Sequence, residues 1–148
     1  MARLGDIATV ITKGTTPTSI GFAFQNDGIN FVKIESVDEN GNFICEKFDH
    51  ISDECHEKLK RSQLQENDIL FSIAGAIGRT AIVTKDILPA NTNQALAIIR
   101  IPQGAINYSF LLEYQILPIQ QLYNKELLHR TNHLYFYLLF LFFQKLLF

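Results

Sequence analysis

Between Asp68 and Arg100 the apolar residues gather into three short runs, Ile69-Leu70-Phe71, Ala81-Ile82-Val83 and Ala95 to Ile101, separated by polar segments. Runs of that length, rich in branched and aromatic side chains, predict β-strands. The loop between the first two carries Gly75 and Gly78, which accept backbone conformations that other residues resist; the polar segment Asn91-Thr92-Asn93-Gln94 precedes the third. The expected unit is strand, loop, strand, loop, strand. It would offer backbone amides, Arg79, Thr80, Asn93 and Gln94 from two loops at one edge, a surface for recognition more than for catalysis.

Upstream, the alternation of Leu4 to Ile11 predicts a first strand with Ile7, Val10 and Ile11 in the core. The loop Thr12 to Gly21 is built from Thr, Gly, Ser and one Pro, and its hydroxyls and amides, with Lys13, suit phosphate oxygens. Ile29 to Glu35 reads as a strand with Phe31 and Lys33 on the face opposite Val32 and Ile34. Asp38 to Asn42 is a turn with Asn40-Gly41 at its tip. Ser52 stands where a helix N-cap belongs, Asp53 and Glu54 follow in the first turn, and Ile51, Cys55 and Leu59 recur at helical spacing. Lys58, Lys60 and Arg61 then form a small basic cluster that could contact phosphates, although cations at a helix C-terminus are the commoner explanation. Farther on, Asn107 caps a helix through Tyr114 and Gln115 that Pro118 ends.

A chain of 148 residues, 47% of them hydrophobic, suffices for one domain with its own core. The formal charge of −2 gives no global attraction to nucleic acid, so such binding would need a local basic patch or a positively charged partner. Cys45 and Cys55, without a recognisable signal peptide, imply a reduced, cytoplasmic setting. Together with His50 and His56 they lack the paired spacing of a zinc site, and Cys55 is expected to pack on a helix face. No histidine stands in a nucleophile motif, and Gly75 to Thr80 lacks the Gly-Lys-Ser/Thr ending of a phosphate loop. Neither a metal nor a cofactor is expected, and any chemistry would belong to another chain.

Several motifs in order resemble one family. Asp68 precedes a strand; a small-residue loop ends in Gly78-Arg79-Thr80-Ala81; Leu88-Pro89, Asn93-Gln94 and Ala97-Ile98-Ile99-Arg100 follow. Leu4-Gly5-Asp6-Ile7-Ala8, Lys13-Gly14-Thr15-Thr16-Pro17-Thr18, Phe31-Val32-Lys33-Ile34 and Leu111-Leu112-Glu113-Tyr114 agree. Together they resemble a target-recognition domain of the DNA-specificity subunit of type I restriction–modification systems. The resemblance implies a compact α+β fold, a mixed β-sheet with a few short helices, over residues 1–124. It implies a non-catalytic reader of one half of a split double-stranded DNA site. Its partners would be a DNA methyltransferase (modification) subunit and a restriction (endonuclease) subunit.

Carried onto this sequence, the family's DNA surface would draw on Lys13, Thr15, Thr16, Thr18 and Ser19 from the first loop. Lys33, Glu35 and Ser36 would follow the second strand, where a carboxylate such as Glu35 is able to accept from a cytosine amino group. Ser72, Arg79, Thr80, Asn91, Asn93 and Gln94 complete the set. A full subunit carries two such domains and this chain carries one, so self-association of two copies would mimic the whole.

From Tyr123 the sequence departs from the family's pattern. Residues 125–148 read as a hydrophobic, helical tail, but Leu134–Phe143 is shorter than the roughly 20 residues a bilayer span requires, so a membrane partner is not expected. The tail fits a buried or self-associating helix, an interfacial anchor, or a truncated or frameshifted frame, and the lack of an amphipathic pattern favours the last. The alternative to a DNA reader is thus a remnant, or an interaction module driven by this tail.

Overall fold

The computed structural model describes residues 8–76 and 78–102. Among these residues the strands, in chain order, are β1 (Val10–Lys13), β2 (Ile29–Val32), β3 (Asp49–Ile51), β4 (Ile69–Ser72), β5 (Thr80–Ile82), β6 (Ala90–Thr92) and β7 (Leu96–Arg100), with one α-helix, α1 (Asp53–Lys58). The three central runs do pair with one another. They lie side by side in a four-stranded antiparallel sheet of order β1-β7-β4-β5. Leu70 stands opposite Ala81 on one side and Ile98 on the other, and all four β4 residues are buried.

A second, three-stranded sheet has the order β3-β2-β6, with β2 antiparallel to β3 and parallel to β6. Period-two alternation lets β2 serve two cores at once. Val32 joins Leu70, Ala81, Leu96 and Ile98 in the layer between the sheets, whereas Phe31 joins Ile51, Cys55 and Leu59 under α1. Phe31 has no accessible surface, and burying such a ring stabilises the domain by about 2 kcal/mol. Ser52 caps α1 by accepting from the Cys55 amide at 3.2 Å, as its position in the sequence predicts.

Three boundaries differ from the sequence reading. The first strand extends through Lys13, because β7 supplies partners from Arg100 to Ala97; the earlier residues 1–7 lie outside those described. The second strand stops at Val32, and Ile34–Ser36 closes into a 3-10 turn with the Ser36 amide donating to Lys33 O at 2.9 Å. Asn91 and Thr92, expected in a loop, are strand residues and fully buried. Their partner β2 is remote in sequence, and Thr92 Oγ1 donates to Val32 O at 2.8 Å. The expected helix after Asn107 and the tail 125–148 lie outside the described residues.

Candidate nucleic-acid interface

The strand registers decide where the loops go. Ser72 at the end of β4 faces Leu96 at the start of β7, Lys13 at the end of β1 faces Ala97, and β5 begins at Thr80 opposite Phe71. In the other sheet Val32 ends beside Thr92, and the link 93–95 carries β6 directly into β7. All these ends therefore meet at one pole. The segments after β1 and β2, the glycine loop 73–79 and the link 93–95 form a single surface.

Hydrogen bonds tie these segments together. The Gly14 amide donates to Leu96 O at 3.3 Å and the Thr15 amide to Thr92 O at 3.1 Å, while Thr16 Oγ1 donates to Gln94 Oε1. Gly14 is required here, since a Cβ at that position would lie 2.0 Å from Thr92 O. The Ile73 amide donates to Ala95 O at 2.8 Å, which docks the glycine loop on the link. Within that loop Gly75 and Gly78 take φ of +75° and +89°, the left-handed region their place in the sequence anticipates. Asn93 Oδ1 accepts from the Ala95 amide at 3.1 Å and so fixes its own turn.

Of the expected contact residues, Lys13, Thr18, Ser19, Glu35 and Gln94 are exposed, and Thr15, Thr16, Lys33, Arg79, Thr80 and Asn93 are half-buried at the same pole. Arg79 is partly committed, donating from Nη1 to Val37 O at 2.9 Å and so holding the arm 37–43 against the β5 edge. Lys33 places Nζ 2.7 Å from Asp49 and 3.3 Å from Glu35, with the Phe24 ring centroid at 6.0 Å. The Asp49 carboxylate raises its pKa and, with Glu35, balances its charge locally.

Three of the expected contact residues lie inside the domain. Ser36, Ser72 and Asn91 are buried, and their polar atoms are spent inside the domain. Ser36 Oγ donates to Lys47 O at 3.0 Å. Ser72 Oγ donates to Ala76 O and accepts from the Arg79 amide at 3.0 Å, closing the glycine loop from beneath. Asn91 donates from Nδ2 to Leu59 O at 3.1 Å and Ser62 Oγ at 3.2 Å, and its Oδ1 meets His56 Nδ1. They support the pole instead of facing outward.

Two further residues belong to the pole. Asp49 belongs to it through Lys33, with nothing in the sequence linking the two. Arg61 had a signal, the basic cluster assigned to the helix end. Lys60 does stay there, 3.8 Å from Glu57, but Arg61 Nη2 donates to Thr15 Oγ1 at 3.2 Å across to the first loop. Among the described residues no group of three or more His, Cys, Asp or Glu is placed to hold a metal ion, and no helix is long and apolar enough to cross a membrane.

A mixed α+β domain with its loops gathered at one pole is a scaffold for recognition, and the sequence comparison gives its class. The chain matches the model of the type I restriction modification DNA specificity domain over residues 1–148, a match that takes in the segment after Tyr123, and it belongs to that family. It is 34% identical over 114 residues to the EcoBI type I restriction enzyme specificity subunit of Escherichia coli, covering 73% of this chain and 23% of that protein. The fold resembles the HsdS subunit from Thermoanaerobacter tengcongensis, with a TM-score of 0.53 at 22% identity over 76% of this chain and 26% of the other. A chain from a structure addressing assembly and conformational transition of the type I R-M system gives a TM-score of 0.57 at 19% identity, over 80% and 27%. The chain thus spans about a quarter of the length of these relatives. Specificity subunits are the DNA-recognition component of type I systems, not the catalytic one.

Proposed function

We propose that this domain reads a short stretch of double-stranded DNA with the pole described above, as one half-site reader of a type I restriction–modification complex in the cytoplasm. A methyltransferase subunit would then act on an adenine at the site, and a restriction subunit would join the same assembly. The observation that carries the reading is the convergence of loops from both sheets, bonded to one another at a single pole. Sequence discrimination needs donors and acceptors held in fixed register against base edges, and such cross-tied loops meet that need.

The exposed polar residues Thr18, Ser19, Glu35 and Gln94 are the base readers in this account. Gln94 keeps its amide N–H groups without a partner among the described residues, while Thr16 fixes its oxygen. Lys33 acts as a brace between two carboxylates, and its balanced charge speaks against a phosphate contact. The burial of Ser36, Ser72 and Asn91 likewise speaks against any contact with DNA. Nothing among the described residues favours an interaction module driven by the tail.

The test is co-expression with a methyltransferase subunit from the same genome, followed by mapping of methylated adenines. A new methylated motif is expected, and Gln94→Ala should relax one base position by roughly tenfold or more, the worth of a good side-chain contact to a base edge. No new methylation from a complex that does co-purify would count against the reading.

A further inference from the structure

Among the described residues Lys13, Lys33, Arg61 and Arg79 lie at or beside the pole, and their partners sort them. Lys33 is held by Asp49 and Glu35, and Arg79 is half-buried with one donor spent on Val37 O. Lys13 is exposed at the end of β1 and has no acidic partner among the described residues. Arg61 is also exposed, and among the described residues its one side-chain bond is to the neutral hydroxyl of Thr15, which leaves its charge and its other N–H groups without a partner there. The nearest carboxylate in sequence, Glu57, is taken by Lys60. Arg61 reaches the pole because the chain after α1 runs antiparallel along the free edge of β6, Gln63 bridging Asn91. A guanidinium anchored by one neutral contact, with its remaining fork free, is built to grip an oxyanion.

We propose that Arg61, with Lys13 at the end of the adjoining strand β1, forms a backbone-phosphate contact that seats the duplex on the flank of the reading pole. This rests on the DNA-reading assignment and deepens it by separating seating from reading. Thr15 is the positioning residue, turning the guanidinium toward the pole. Phosphate contacts add affinity without adding sequence information, and each contributes about one unit to the dependence of log K on log salt.

The experiment is a titration of the full chain with a labelled random-sequence 30-base-pair duplex over a potassium chloride series, comparing the unsubstituted protein, Arg61→Gln, Thr15→Val and, as an exposed control on α1, Lys58→Gln. Arg61→Gln should weaken binding about five- to tenfold near 0.1 M salt and lower the salt slope by about one. Thr15→Val should cause a smaller loss of the same kind, Lys58→Gln none, and the methylated motif should be unchanged in every variant. If the unsubstituted protein binds no duplex, the DNA-reading assignment fails. If it binds and Arg61→Gln keeps the same slope, or if the methylated motif changes, only the role of Arg61 is overturned.

Discussion

Replacing Gly14 with Ala is expected to be the most damaging single change at the pole, lowering stability by about 3 kcal/mol and abolishing target methylation at growth temperature. The added methyl would sit 2.0 Å from Thr92 O and 2.3 Å from Asn93 O, both backbone atoms that no rotamer change moves away. The first loop and the link 93–95 would have to separate. That separation breaks the bond from the Thr15 amide to Thr92 O and the one between Thr16 and Gln94. Thermal denaturation and methylation mapping of the same variant measure both losses. A variant with unchanged melting and an unchanged motif would show that the close approach of the two loops is not needed.

Arg100→Leu is the second large effect, and it acts at the opposite pole. Asp68 has no accessible side-chain surface, and Arg100 donates to it through Nε and Nη2, each at 2.7 Å. Without the guanidinium the buried carboxylate keeps a hydrogen bond from the Gln65 amide, at 2.8 Å, but loses its countercharge. Removing one member of such a pair costs about 3–5 kcal/mol, which for a domain of this size lowers Tm by about 10 °C. The double variant Asp68→Leu, Arg100→Leu should regain most of that loss, because an apolar pair leaves no stranded charge. DNA preference should survive wherever the variant folds, since the pair lies far from the loops.

The contrast between these two sites shows what the sequence carried. The runs at 69–71, 81–83 and 95–101 were legible because each strand is mostly apolar and the first of them pairs with both of the others within one short stretch of sequence. Ser52, the Asn40-Gly41 turn and the buried face of Cys55 were legible for the same local reasons. Asn91-Thr92 was not. Its polar letters read as a loop, and only distant partners, β2, Leu59 and Ser62, turn it into a buried strand. The bond of Arg61 to Thr15 was not legible either, because it spans 46 residues and a basic cluster after a helix already has a local explanation. The loops that form the pole were found from the sequence, whereas which of their polar atoms face outward depended on long-range packing.

The most direct test of the account is to ask which end of the domain touches DNA. A photo-crosslinking side chain in place of Gln94, at the pole, is compared with one in place of Glu66, exposed just before β4 at the other end. With a duplex bearing the methylated motif, crosslinks are expected from position 94 and not from position 66. Crosslinks from position 66 alone, or equal yields from both, would contradict the claim that the gathered loops are the reading surface.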